Sequence, residues 1–216
     1  MFTATVTSED YLGAIYRLRE APETPLPLSH LQEHFNFTRV SVHEMALKLA
    51  QRRWVIYYPY QGVTLTAEGE RIAAALVRRH RLWERFLTDM LDLPWDEAHA
   101  IAGRLEHAAP EAVTEKLARL LGEPTSCPHG GPIPPALPAQ PGVTLSAVEP
   151  GSTVIIVRIF PEVPEVLHQL AMLGIGLHTA VQVRQQTPEA IGIALSDGRE
   201  VTLPAAVSAT IWVTPA

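Results

Sequence analysis

The chain has 216 residues, 47% of them hydrophobic and 19% charged, which is enough apolar side chain for one large domain or two small cores and excludes wholesale disorder. Seventeen Lys+Arg against 23 Asp+Glu leave a net charge of −6, which at face value speaks against a nucleic-acid partner. A single cysteine excludes a disulfide framework and an all-cysteine zinc site. No apolar run approaches the roughly 20 residues of a membrane span, and MFTATVTSED lacks the basic and apolar regions of a signal peptide. A soluble, cytoplasmic protein is expected, with no membrane partner.

In chain order, Thr7-Ser8-Glu9-Asp10 reads as a capped helix start, followed by Tyr11, Leu12, Ile15 and Leu18 at helical spacing. Pro22, Pro25 and Pro27 end that helix. Ser29 with Gln32 three residues later is a capping-box signature for a short helix through Leu31 and Phe35. After a break at Asn36 to Arg39, a further helix places Val42, Ala46 and Leu49 on one face. Trp54 to Tyr57 switch to β-forming residues, and a turn at Pro59-Tyr60-Gln61-Gly62 leads into Val63-Thr64-Leu65, so the pair reads as a hairpin. Thr66 begins a long helix through Ile72, Leu76, Trp83, Leu87 and Met90, which Pro94 stops. Asp96 is placed to cap the next helix, and Pro110 sits where the first turn of another would tolerate it.

Seven of the 19 prolines fall between 124 and 141, where the missing amide donors predict a connector of locked, extended geometry. Beyond it, five short β-prone runs start near Thr153, Ala180, Ile191, Arg199 and Thr210, with one helical stretch from Glu165 to Leu173. Asp197-Gly198 is a hairpin turn between two of the runs. Five short strands in about 70 residues predict a small barrel.

A short helix, a tight turn, a second helix and a two-stranded hairpin is the winged helix-turn-helix order. Local charge supports it: residues 36–67 carry Arg39, Lys48, Arg52 and Arg53 against Glu44 alone. Thr38, Arg39, Ser41, His43 and Glu44 open the second helix, where base edges of a major groove would be met. Lys48 and the wing residues Tyr58, Tyr60 and Gln61 are candidates for further DNA contact. A surface helix with ordinary solvated charges is the alternative.

Beyond the hairpin the pattern changes from base reading to metal ligation. His80 and Glu84 are four apart and share one helical face, while His99, Glu106 and His107 lie on the next predicted helix. Imidazole plus carboxylate is a ligand set for divalent Mn, Fe, Co, Ni or Zn, and Asp10 could complete one site. Gly103, on the stripe joining His99 to Glu106, implies either a close packing approach or a ligand position left to water. There is no HExxH motif and no nucleophile–base pair, so an enzyme is not expected. Cys127 is read as structural, leaving nitrogen and oxygen to build any metal site.

These residues resemble the diphtheria toxin repressor family of metal-dependent transcriptional regulators, including the manganese transport regulators. The resemblance is carried by Thr7-Ser-Glu-Asp-Tyr-Leu12 with Ile15-Tyr16, by Leu65-Thr66, and by Arg79-His-Arg-Leu-Trp-Glu-Arg85 with Leu87-Thr-Asp89. It continues through Glu106-His107 and Cys127-Pro-His-Gly-Gly-Pro-Ile-Pro134 into the C-terminal unit. It implies a mainly α winged helix-turn-helix domain (1–75), a helical metal-binding and dimerisation domain (76–123), a Pro-rich linker (124–143) and a small all-β SH3-like, FeoA-like barrel (144–216).

The resemblance also implies residue roles. His80, Glu84 and His99 match the family's ancillary metal site, and Asp10, Glu106 and His107 its primary site. Glu162, Glu165 and His168 lie near where the barrel of longer members donates ligands. Asp10 replaces the methionine of iron-responsive members, and a hard carboxylate in place of a thioether favours Mn(II), with Fe(II) or another divalent metal as the alternative. Gly103 stands where the family usually has cysteine or glutamate, and Gly13 where manganese regulators place a second glutamate. The implied function is a divalent-metal-dependent repressor that binds palindromic operator DNA as a homodimer. Ile101, Leu105, Val113, Leu117 and Leu120 are candidates for the dimer surface. A winged-helix regulator that has lost metal control and a small metalloenzyme are the competing readings.

Overall fold

The computed structural model describes residues 7–19, 21–136 and 142–216, and the chain forms two compact units, Met1–Arg79 and His80–Ala216. Residues 137–141 of the expected linker lie outside the described residues.

In the first unit, α1 (Ser8–Leu18) starts as its sequence dictates. The Thr7 side chain accepts from Asp10 N, and the Asp10 carboxylate accepts from Thr7 N, closing a capping box. α2 (Leu28–Phe35) differs from expectation: its N-cap is Pro27, with no side-chain cap, and Ser29 lies inside the first turn. The fixed φ of proline suits a helix entry and makes the Ser29 hydroxyl unnecessary there. Asn36 ends α2 in the left-handed conformation (φ 51°), and Thr38 caps α3 (Arg39–Gln51) by accepting from Ser41 N. The predicted hairpin forms from β1 (Val55–Tyr58) and β2 (Gly62–Leu65), with Val55 opposite Leu65. Leu26 adds a bridge to Val63, which brings its carbonyl against Gly62, where a Cβ would lie only 2.0 Å from the Leu26 oxygen. Leu12, Ile15, Leu31, Val42, Leu49, Val55 and Val63 form the core that all these elements share. Each such aliphatic side chain contributes roughly 1.5–3 kcal/mol by leaving water.

α4 (Ala67–Leu91) begins at Thr66, whose hydroxyl accepts from Gly69 N, and its residues from His80 onward belong to the second unit. There it packs against α5 (Trp95–Leu105) through Leu87, Ala98 and Ala102, and α6 (Glu111–Leu120) through Leu82, Leu117 and Ala118. α5 is capped by Pro94, so Asp96 sits within the first turn as an acidic residue favoured by the helix dipole and is not the cap. Pro110 likewise is the N-cap of α6.

The expected connector is not a spacer over its described part. Cys127, His129 and Ile133 are buried, and Ser126 bridges Pro132 across a tight turn closed by Cys127 N to Gly131 O. The His129 carbonyl accepts from Ile159 N on the first long barrel strand. Proline-rich geometry here builds a folded plug, because the two glycines between the prolines allow backbone to approach closely. At Gly130, with φ 81°, a Cβ would fall 2.2 Å from the Val157 carbonyl oxygen.

The C-terminal sheet is antiparallel with strand order β3-β8-β4-β5-β6-β7. Its strands are β3 (Val143–Thr144), β4 (Thr153–Ile159), β5 (Ala180–Gln186), β6 (Ala190–Leu195), β7 (Glu200–Pro204) and β8 (Ile211–Pro215). Register shifts between Ile156 and Arg158 and between Val183 and Gln185 bend the strands around a core that includes Ile156, Ile159, Val183 and Ile193. α7 (Pro164–Leu173) closes this core with Leu167 and Leu170, and a one-turn helix, α8 (Ala205–Ser208), joins β7 to β8. The Asp197-Gly198 turn joins β6 to β7 as its residues require, with Gly198 at φ 86°.

Candidate metal centre

The second unit buries a carboxylate among imidazoles. Glu84 of α4 is fully buried, and its Oε1 accepts from His80 Nε2 at 2.9 Å and from His99 Nδ1 at 2.7 Å. The two imidazole nitrogens are themselves 3.2 Å apart. Two donors do not favour each other at that distance, whereas ligands about 2.1 Å from one ion and at right angles to each other stand about 3 Å apart. His129 Nδ1 approaches the same oxygen at 3.5 Å. Glu84 Oε2 and His129 Nε2 are buried and have no hydrogen-bond partner among the described residues, which leaves both able to serve an ion.

Two groups that could hold an ion therefore share Glu84: His80, Glu84 and His99, and Glu84, Cys127 and His129. The second set places Cys127, whose Sγ also accepts from Gly131 N, among groups that could hold an ion. Its Sγ lies 3.9 Å from His129 Nδ1 and 3.9 Å from Glu162 Oε1, so a soft donor is available beside the nitrogen and oxygen ones. His129 escaped sequence reasoning altogether. The Cys-Pro-His spacing was its one signal, masked because a proline-rich stretch reads as a spacer. Trp95 holds the His129 ring edge-on at 5.2 Å, and Arg81 donates to the Pro132 carbonyl, pinning the turn that carries Cys127 and His129.

Electrostatics favour a charged cluster. Burial opposes a charge on His80, but the Glu84 carboxylate and the Glu106 hydrogen bond outweigh it and raise the imidazole from 6.5 to about 9. Burial would raise the Glu84 carboxyl, yet His80 and His129 hold it well below the usual carboxylate range. His129 is raised well above its ordinary value by Glu84 against the same burial, and burial together with Glu84 pushes the Cys127 thiol up. Protons thus hold the places that a cation would take.

Glu106, the C-cap of α5, accepts from His80 Nδ1 at 2.7 Å through Oε2 and lies 3.3 Å from His107 Nε2 through Oε1. His80 is therefore held by a carboxylate on each nitrogen. Gly103, one turn earlier on α5, has nothing within 4 Å of its Cβ position, so a close packing approach is not the reason for glycine. Glu162 stands beside Cys127, while Glu165 is exposed in the first turn of α7 and joins neither group. His168 pairs with Asp96 at 3.0 Å and also stands apart. In the first unit, the Asp10 carboxylate serves its capping box, and Gly13 packs with its Cβ position 3.2 Å from Leu76.

Of the expected DNA-facing residues, the N-cap Thr38 is exposed, as are Arg39, Ser41, Glu44 and Lys48 on α3, away from the buried Val42, Ala46 and Leu49. Tyr60 is fully exposed at the wing tip. A groove of about 680 Å³ separates Arg39, Val40 and His43 of α3 from Tyr57, Tyr60 and Gln61 of the wing. Of the expected dimer residues, Val113 and Leu120 are exposed, Ile101 and Leu105 are half-buried against α4, and Leu117 is buried within the chain.

A winged helix-turn-helix unit followed by helices that bury a histidine–carboxylate cluster defines a metal-dependent DNA-binding regulator. Residues 66–135 match the family model described as iron dependent repressor, metal binding and dimerisation domain, and residues 143–215 match the FeoA domain. The iron-dependent repressor IdeR of Mycobacterium tuberculosis H37Rv is 31% identical over 213 residues, 92% of each chain. The diphtheria toxin repressor of Corynebacterium diphtheriae is 32% identical over 128 residues, 59% of this chain and 56% of that one. Among solved structures, a manganese-dependent transcriptional repressor in complex with manganese superposes with a TM-score of 0.86 at 34% identity, covering 97% of this chain and all of that one. ScaR with bound Cd2+ gives 0.81 at 26% identity, covering 98% and 100%. The chain belongs to the diphtheria toxin repressor family of metal-dependent transcriptional repressors. Its relatives are repressors and not enzymes, and no helix among the described residues is long and apolar enough to cross a membrane.

Proposed function

We propose that the chain is a Mn(II)-responsive repressor that binds palindromic operator DNA as a homodimer. The observation that carries this reading is the buried Glu84 carboxylate on which three imidazoles converge while its second oxygen has no partner. In this reading His80, Glu84 and His99 hold one ion, with Cys127, His129 and Glu162 closing the same centre. Glu106 and His107 belong to a second. Bound there, a divalent cation supplies positive charge that offsets the clustered carboxylates.

The chain's own residues do the rest. α4 carries His80 and Glu84 and runs unbroken from Ala67, so one helix serves both the metal centre and the winged-helix unit. A ligand that prefers one arrangement of these elements shifts the population towards it. Exposed Val113 and Leu120 are offered as part of the homodimer surface, and a two-fold dimer matches two half-sites about one helical turn apart. Hard carboxylates at Glu84 and Glu106 favour Mn(II), while Cys127 beside His129 favours Fe(II) as the second reading.

The test is binding to operator duplex by chelator-treated protein, alone and with Mn(II) or, anaerobically, Fe(II). Affinity that rises at least tenfold with Mn(II) supports the reading, and a larger gain with Fe(II) selects the second. Equal affinity with and without metal supports a regulator that has lost metal control.

A further inference from the structure

The recognition helix α3 exposes one acidic side chain on the face that approaches a polyanion, and its chemistry admits few partners. Glu44 is exposed and makes no hydrogen bond or ion pair with any described residue. Lys48, four residues further on and in the usual position for a helical ion pair, is not bonded to it. The flanking Arg39, Lys48, Arg52 and Arg53 are all cationic, so the carboxylate opposes the attraction for phosphates that the rest of this surface supplies.

Its placement is that of a base reader. Val42, Ala46 and Leu49 turn inward, so Val40 and Glu44 share the opposite, solvent-facing stripe, and Val40 lines the groove between α3 and the wing. Thr38 and Ser41, which fix the first turn, place Glu44 one turn into the helix. A carboxylate only accepts hydrogen bonds. In the major groove guanine shows it two acceptors and thymine an acceptor and a methyl, while adenine sets its N7 acceptor beside its amino group. Cytosine offers the N4 amino donor without a neighbouring acceptor on the same base.

We propose that Glu44 is a specificity-determining residue that accepts from the N4 amino group of one cytosine in each operator half-site. The assignment rests on the operator-binding reading above and goes beyond it in naming the base. The alternative, a solvated glutamate that only supports the helix beside Lys48, predicts no change in base preference when the charge is removed.

The experiment enriches duplexes from a pool with randomised positions, using full-length wild type and Glu44→Gln, each saturated with Mn(II). Wild type is expected to select cytosine at one position per half-site. Glu44→Gln shifts that position to adenine, whose N6 and N7 suit a carboxamide, and changes the cytosine-to-adenine ratio about tenfold or more. The other positions keep their preferences, and equal thermal midpoints check that the fold is intact. Identical preferences in both proteins overturn the assignment, as does uniform weakening at every position. Enrichment of no sequence by either protein overturns the operator reading and this assignment with it.

Discussion

His80 and Glu106, 26 positions apart, are joined by a 2.7 Å hydrogen bond from His80 Nδ1 to Glu106 Oε2. The other imidazole nitrogen faces Glu84, so one buried ring is clamped between two carboxylates from different helices. A histidine ligand whose second nitrogen donates to a carboxylate is fixed in tautomer and orientation.

That clamp predicts how the metal-free protein responds to pH. His80 is raised from 6.5 to about 9, so its stabilisation is complete below 6.5 and is lost as pH rises through about 9. At about 1.4 kcal/mol per pH step this is on the order of 3 kcal/mol. Glu84 is lowered, and its contribution is lost instead as pH falls below the ordinary carboxylate range. Denaturant midpoints of chelator-treated protein should fall between pH 6 and pH 9.5, and His80→Gln should flatten that fall.

The cluster around Cys127 predicts a spectroscopic signature. With its Sγ beside His129 and Glu162, loading with Co(II) should produce thiolate-to-metal absorption in the near ultraviolet. Cys127→Ser should remove the band, and His129→Ala should weaken Co(II) affinity by about 10-fold or more. Absence of the band from fully loaded wild type would return Cys127 to a packing role.

The contrast between Cys127 and His80 shows what was legible in the sequence. His80 and Glu84 lie four apart on a helix, so local periodicity alone put them on one face. Cys127 and His129 reach Glu84 only through a tertiary turn, held by Arg81 on the Pro132 carbonyl, and no local period encodes that. The winged-helix unit was legible for the same reason, since its turns and apolar stripes are short-range features. The caps at Pro27 and Pro94 were misplaced because serine and aspartate hydroxyl or carboxylate signals compete with proline at a helix entry. The glycine at 103 had two readings that only space around it could separate.

Lys48 predicts an effect distinct from that of Glu44. On the operator-binding reading, exposed Lys48 of α3 meets phosphate and reads no base. Lys48→Ala should weaken binding to specific and random duplex alike, and lower the slope of log affinity against log salt by about one. A change confined to one base position would contradict this role.

Gly103 supplies the last prediction. Glycine in a helix interior costs about 1 kcal/mol relative to alanine, and here an added Cβ meets no atom within 4 Å. Gly103→Ala should therefore stabilise the metal-free protein by about 1 kcal/mol, read as a shift in urea midpoint at unchanged slope. The nearby Glu106 and His107 make the metal-bound measurement informative as well. If position 103 leaves room for a water on the ion, alanine will still stabilise the metal-free protein but will reduce the additional stabilisation that Mn(II) provides. If the space is unrelated to the ion, both measurements will rise together.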